Sequence, residues 1–409
     1  MTWVDIVFFF YTFVALYMLS LFMFIYFPNR KKLFDYPKGK AEPVSVIVPC
    51  YNEAETIGNV IKSLLELNYP KEMIEIIVVD DRSKDNSAEV VRRYAKKYKN
   101  VRLIVNERNS GGAAEPTNIG IKAAKYDYIA IADADSTPDK DALIRMIGFL
   151  QVDEKVGGVT CAVLARKPEK FMQKLQEIEY YIIGFNRKLL DLVDAIYVTP
   201  GPFALYKKKI LFEIGLFDTK NMTQDIEIVW RMRANGYTVR MCLPAKVYSN
   251  TPSRISDWWR QRIRWNIGGA QCIVKYKKLL FKKGMLGAFI IPFFSLSLFI
   301  GLFGLGLFIY LLLRRIAISY LSTKYSIYAS TAVVRLQDLS FTPSVLNFFG
   351  ITLFFLGLGF TFLVLNTFSE RRVRRGLINI LFYSTIYLTL YPVIMVSALY
   401  KLARRKYSW

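Results

Sequence analysis

Asp80-Asp81, Asp133-Ala134-Asp135 and Thr223-Gln224-Asp225 form three acidic groups in a chain that contains no histidine. Two carboxylates separated by one residue, such as Asp133 and Asp135, can hold a hard divalent cation and still leave positions open for phosphate oxygens. A cation held in that way neutralises charge developing on a departing phosphate group. The lack of histidine removes both an imidazole base and a histidine-ligated zinc site. Four cysteines, Cys50, Cys161, Cys242 and Cys272, show no metal-ligand spacing and read as reduced thiols.

The elements that must position these groups alternate in type. From residue 44 short apolar runs alternate with helical stretches: strands over 44–48, 74–79, 101–105 and 128–132, helices over 55–67 and 85–98. Such alternation predicts an α/β domain with a mostly parallel sheet covered on both faces. Ligands of these sheets sit beyond the carboxyl ends of the strands. The residues there are Tyr51, Asn52 and Glu53 after the first strand, Asp80 and Asp81 after the second, and Asp133 and Asp135 after the fourth. One acidic pair at such a place is usually a cap or a turn. Three at one edge repel each other unless a cation or a donor-rich ligand lies between them.

Four runs without a charged residue, 6–27, 284–313, 339–369 and 376–400, are each long enough to cross about 30 Å of hydrocarbon as a helix. Four spans would put the tail 401–409 outside, although it holds Lys401, Arg404, Arg405 and Lys406. Either the tail is a short charged exception or one run is re-entrant or interfacial, the run from 284, with Pro292 and several glycines, being the first candidate to bend. The segment 314–338 reads as a loop or an amphipathic helix. Basic residues follow the first run, at Arg30, Lys31, Lys32, Lys38 and Lys40, and separate the last two, at Arg371, Arg372, Arg374 and Arg375. The positive-inside rule puts both clusters, and the α/β domain with them, in the cytoplasm of a multi-pass protein of the cell membrane. The net charge of +23 therefore calls for membrane lipids as partners, through anionic headgroups, and for no nucleic acid.

Pro49-Cys50-Tyr51-Asn52-Glu53, Asp80-Asp81, Asp133-Ala134-Asp135, Thr223-Gln224-Asp225 and Gln261-Arg262-Ile263-Arg264-Trp265 follow one another in an order and at intervals that resemble the processive family 2 glycosyltransferases, the membrane synthases of cellulose, chitin, hyaluronan and poly-N-acetylglucosamine. The resemblance covers nearly the whole chain. It implies a glycosyltransferase A-type fold joined to a helical transmembrane region: an anchor helix over 1–28, the cytoplasmic domain over 29–250, interfacial amphipathic helices over 251–283, and about three membrane helices over 284–409. It also implies an inverting transfer from a nucleotide sugar, of the UDP type in most of the family, to a glycan or glycolipid acceptor. Glu53 and Asp81, with Tyr51 and Asp80 beside them, would hold the nucleoside. Asp133 and Asp135 would orient the donor and bind Mg²⁺ or Mn²⁺. Asp225 would be the general base, with Gln224 beside it in the catalytic motif. Gly201 and Pro202 would form an acceptor-side loop, where glycine lets backbone approach a sugar. Arg262 or Arg264 would meet the diphosphate, and Trp265, next to Gln261, would stack on the acceptor sugar.

Two positions depart from the family pattern. Ala113 stands where a phosphate-contacting lysine is usual, with Arg108 as a substitute nearby in sequence. Gln224 stands where glutamate is usual, keeping the shape and replacing a charge with an amide. Three activities stay open at this level: a processive synthase that passes its product through its own helices, a single transfer to a lipid-linked acceptor, and a catalytically silent membrane scaffold.

Overall fold

The structure, a computed structural model, describes residues 3–330, 345–368 and 376–405. Eight strands, β1 (Val44–Cys50), β2 (Ile74–Asp80), β3 (Val101–Val105), β4 (Tyr128–Ile131), β5 (Thr137–Pro138), β6 (Val156–Ala165), β7 (Ala204–Lys207) and β8 (Thr238–Ser249), make one sheet in the order β3-β2-β1-β4-β7-β6-β8-β5. The first half is parallel, as the alternating pattern predicts, and Cys50 lies level with Asp80. Beyond β4 the sheet is mixed rather than mostly parallel. β7 runs antiparallel to both β4 and β6, while β8 returns parallel to β6. The pairing of β6 with β8 skips from Cys161–Cys242 to Ala162–Lys246. Pro244 lies in that skip, where its missing N–H breaks no ladder bond.

Helices α1 (Trp3–Asn29), α2 (Ile57–Leu65), α3 (Ser87–Lys97), α4 (Ala114–Ala123), α5 (Ala142–Val152), α6 (Phe171–Leu192), α7 (Lys208–Glu213), α8 (Gln224–Ala234) and α9 (Ile255–Tyr276) precede α10 (Ile291–Tyr328), α11 (Val345–Phe368), α12 (Leu377–Phe382) and α13 (Leu388–Ala403). The strands are apolar on both faces because both faces are covered. Val44, Val46 and Val48 pack with Ile74, Ile76 and Val78 on one side, and Ile47, Ile77 and Val79 face the other. Each such side chain contributes about 1.5–3 kcal/mol by leaving water.

Four helical stretches among the described residues are long and apolar enough to cross a membrane: Trp3–Lys32, Leu286–Tyr328, Phe348–Phe368 and Leu377–Ala403. The second is continuous and does not re-enter. A π-helical turn, Leu286–Ile290, leads into the unbroken α10 of 38 residues, and Pro292 falls in its first turn, where a proline costs no hydrogen bond. The part of the 314–338 segment that is described is therefore helix, as far as Tyr328. The four arginines at 371–375 and the start of the run from 339 lie outside the described residues. The membrane helices dock on the sheet domain through α6: Tyr26 of α1 meets Phe185 at 5.6 Å between ring centroids, and Phe368 of α11 meets Tyr181 at 5.2 Å.

Candidate active site

The loop after β4 carries Asp133 and Asp135 inward from the carboxyl edge of the sheet. Opposite them, Asp225 occupies the first turn of α8, with its Oδ1 accepting from the Ile226 amide at 3.0 Å. The loop before β7 is tied to the same turn, since the Thr199 amide donates to the Asp225 carbonyl at 3.2 Å and Tyr206 donates its hydroxyl to Thr199 Oγ1 at 2.7 Å. This places Gly201 directly over Asp133: a Cβ there would stand 2.8 Å from Asp133 Oδ1. Gly201→Ala is expected to displace the loop or the carboxylate and lower turnover about 10²-fold, with the melting temperature little changed. Turnover within a few-fold of the parent would remove the close approach as a requirement.

The three carboxyls share one electrostatic environment. Burial, followed by the charges of Asp135 and Asp225, pushes Asp133 up to about 8. Burial raises Asp135 as well, against the Ser136 hydroxyl and the Arg166 charge. Asp225 is raised by burial and pulled back by the helix amides, Arg264 and Arg187. A divalent cation between Asp133 and Asp135 would relieve this crowding. No group of three or more His, Cys, Asp or Glu side chains gathers as a metal cage among the described residues. Two carboxylates fit a cation that completes its shell with phosphate oxygens and water.

The helix α9 closes the site. Gly268 lets it lie against α8, for a Cβ there would stand 2.0 Å from Thr223 Oγ1. Gln261, Arg264 and Trp265 then line one cavity of about 540 Å³ together with Asp133, Asp135 and Asp225. Gly201, Pro202, Gln224 and Ala113 line it too. Its far wall belongs to the membrane helices, with Phe293, Phe294, Ser297 and Leu298 from α10 and Tyr391 and Met395 from α13.

Arg262 does not face this cavity. It is fully buried behind the wall formed by Gln261, Trp265 and Tyr391, paired with Glu179 of α6, and donates to Tyr391 at 3.0 Å and to Gln261 at 2.7 Å. Its guanidinium lies 3.9 Å from the centroid of the Trp265 ring. Tyr387 and Tyr391 also donate to Glu179, and Trp258 donates to Tyr387. Of the two motif arginines expected at the diphosphate, Arg264 lines the cavity and Arg262 does not.

Tyr51, Glu53, Asp80 and Asp81 stand at the sheet edge, outside the walls of this cavity. Tyr51 is exposed, and Glu53, half-buried, accepts from Thr56 Oγ1 at 2.5 Å. Asp80 is buried, and its Oδ1 has no partner among the described residues. Asp81 holds the 106–112 loop, accepting from Asn106 Nδ2 at 2.7 Å and from the Ser110 amide and hydroxyl at 2.9 and 2.7 Å. Arg108 is exposed and does not line the cavity. The buried guanidinium that sequence reasoning overlooked is Arg187. It stands on a stripe of α6 that also puts Tyr180, Ile183 and Gly184 on the cavity wall, and that helical spacing was the only available signal.

The family described as Glycosyl transferase family 2 matches residues 45–215. The chain is 30% identical over 383 residues to the poly-beta-1,6-N-acetyl-D-glucosamine synthase of Staphylococcus epidermidis, covering 92% of this chain and 88% of that protein. It is 32% identical over 281 residues to the synthase of the same name from Staphylococcus aureus strain COL, covering 67% of each. Among solved structures, a mannosyltransferase from Pyrobaculum calidifontis in complex with GDP-Man and Mn²⁺ aligns with a TM-score of 0.58 at 19% identity, over 97% of this chain and 99% of that one. That likeness concerns the fold.

Proposed function

The chain belongs to glycosyl transferase family 2, and from that membership we propose that it is a membrane synthase that moves N-acetylglucosamine from a UDP-sugar onto a growing polysaccharide, with inversion, and passes the product between its own helices. The observation that carries this reading is the single cavity in which Asp133, Asp135, Asp225 and Trp265 share walls with α10 and α13. A purely soluble transfer would have no use for membrane helices along its acceptor side. The basic residues at the end of α1, Arg30, Lys31 and Lys32, support a cytoplasmic catalytic domain.

In this mechanism Trp265 offers its ring to the apolar face of the terminal acceptor sugar. The acceptor hydroxyl attacks the anomeric carbon opposite the diphosphate. The new carbon–oxygen bond forms as the bond to the diphosphate oxygen breaks, and the electron pair leaves with the diphosphate. Asp225 takes the hydroxyl proton; burial raises its affinity for protons, which makes it a stronger base than an exposed carboxylate. Arg264 faces the leaving group. Mg²⁺ or Mn²⁺, held by Asp133 and Asp135, supplies further charge neutralisation on the diphosphate when bound.

Cation binding should depend on pH in a definite direction. Asp133 rises from the ordinary 3.8 to about 8 in the folded chain. A carboxyl raised by folding stabilises the fold at low pH and loses that contribution as pH climbs through the interval between those values. Without a cation the melting temperature should therefore fall from pH 6 to pH 8. Mn²⁺ affinity should rise over the same range, because the cation has one proton fewer to displace. Calorimetric titration at both pH values checks this, and affinity independent of pH would take Asp133 out of the cation site.

The function itself is tested by product analysis of the purified protein in lipid with a panel of radiolabelled nucleotide sugars. A long polymer from one donor, UDP-N-acetylglucosamine, is expected. One sugar on an extractable lipid would select single transfer, and no transfer from any donor would leave a scaffold.

A further inference from the structure

Behind the cavity wall, one carboxylate ties the helix of the base to the helix of the acceptor platform. Glu227 stands on the first turn of α8, two residues after Asp225, and is fully buried. Its Oε1 accepts three hydrogen bonds, from Lys275 Nζ at 2.6 Å, from the Tyr276 hydroxyl at 2.7 Å and from Arg231 Nε at 3.1 Å. Arg231 Nη2 donates to the other oxygen. Lys275 also reaches Asp218 at 2.7 Å, so two anions meet two cations and the cluster carries no net charge. Lys275 and Tyr276 lie in the last turn of α9, the continuous helix that carries Gln261, Arg264 and Trp265. One turn nearer the cavity, Gln271 Oε1 accepts from the Met222 amide at 2.9 Å. Glu227, Arg231, Lys275 and Tyr276 are not among the residues that line the cavity, so the cluster acts on the reaction only through others.

Resting on the proposed function, we infer that Glu227 is a positioning residue: through Lys275 and Tyr276 it sets the distance between the Asp225 carboxylate and the acceptor sugar on Trp265. Apolar residues of similar volume would hold the two helices together as firmly, but they would let one slide along the other. Hydrogen bonds converging on one oxygen do not, because they weaken steeply as donor and acceptor move out of line. The first turn of α8 has a second tether on the side of the β7 loop, from the Thr199 amide to the Asp225 carbonyl. With both in place the turn is fixed against the loop that carries Gly201 and against the helix that carries Trp265. A base and an acceptor platform on separate helices need that precision, since a misplacement of about 1 Å costs about 10²-fold in rate.

The test cuts the link without stranding a buried charge. In the double variant Lys275→Met/Tyr276→Phe, Glu227 keeps Arg231 of its own helix as counter-charge, while both bonds to α9 are lost. For polymer synthesis by the protein in lipid, kcat should fall about 10²-fold. Donor KM and nucleotide-sugar affinity should stay within about two-fold of the parent, because the cluster does not touch the donor. The loss should persist well below the melting temperature, where a variant that is merely less stable is fully folded and regains its rate. Lys275→Arg, which keeps a charged donor, should retain a rate within about five-fold of the parent. A double variant within about three-fold of the parent, a donor KM raised along with the fall in rate, or a loss that vanishes on cooling would overturn the positioning role and leave the cluster a structural one. Should the double variant fail to fold, kcat of Lys275→Met against Lys275→Arg decides the same point, equal rates overturning it. A parent that transfers no sugar from any donor would overturn the functional reading beneath it.

Discussion

Asp225→Asn will bind the nucleotide sugar with nearly the parent's affinity and lower kcat by about 10²- to 10⁴-fold, the usual contribution of a positioned general base. The substitution keeps the shape of the side chain, and the oxygen that accepts from the Ile226 amide has a counterpart in asparagine. The fold around the turn is thus retained: Thr199 hydrogen-bonds the backbone carbonyl of residue 225, which the substitution leaves in place. Proton acceptance is lost. The chain has no histidine to take over, and the other carboxyls of the site, Asp133 and Asp135, are the pair proposed for the cation. Steady-state rates with donor binding measured in parallel check this, and turnover within ten-fold of the parent would reduce Asp225 to a helix-terminus residue.

Glu179→Leu should be the most damaging single change away from the reacting atoms, costing about 3–5 kcal/mol of stability. It strands the fully buried Arg262 without its counter-charge, and the penalty of an unpaired buried ion exceeds what the intact pair contributes. Tyr387 and Tyr391 lose their acceptor at the same time. The double variant Glu179→Leu/Arg262→Met should regain most of the loss, because it removes both charges together. Its activity should nevertheless stay low, since the guanidinium under the Trp265 ring is gone. Thermal unfolding of the two variants in detergent separates these effects. A single variant that melts with the parent would show the pair to be dispensable.

The contrast between Arg262 and Arg264 marks where sequence reading stops. Strand ends are visible in a chain because hydrophobic alternation is local, and Asp133 and Asp135 duly stand at the edge expected of them. Which of the two motif arginines reaches the cavity depends on Glu179, 83 residues from Arg262, and no local pattern encodes that partner. The mixed half of the sheet was hidden for a related reason. β7 has only four residues, too few for a period, and Pro244 interrupts β8 where a continuous strand would not allow it. Arg187 went unread because one arginine on a helix carries no motif; its significance comes from the cavity that it lines. The convergence of Asp225 and Trp265, in turn, depends on the absence of a side chain at Gly268, which matters only once α8 and α9 are in contact.

The unbroken α10 also ties the enzyme to the thickness of its bilayer. The uncharged run 284–313 lies between Lys282-Lys283 and Arg314-Arg315, and wound as helix it spans about 40 Å, against about 30 Å of hydrocarbon. Hydrophobic mismatch of that size is met by tilting the helix or thickening the lipid around it. Phe293, Phe294 and Ser297 ride on this helix, so its tilt sets the width of the cavity's far wall. Turnover should accordingly vary with acyl-chain length when the protein is reconstituted in short- and long-chain lipids, and the membrane becomes a regulator of the synthase as well as its location.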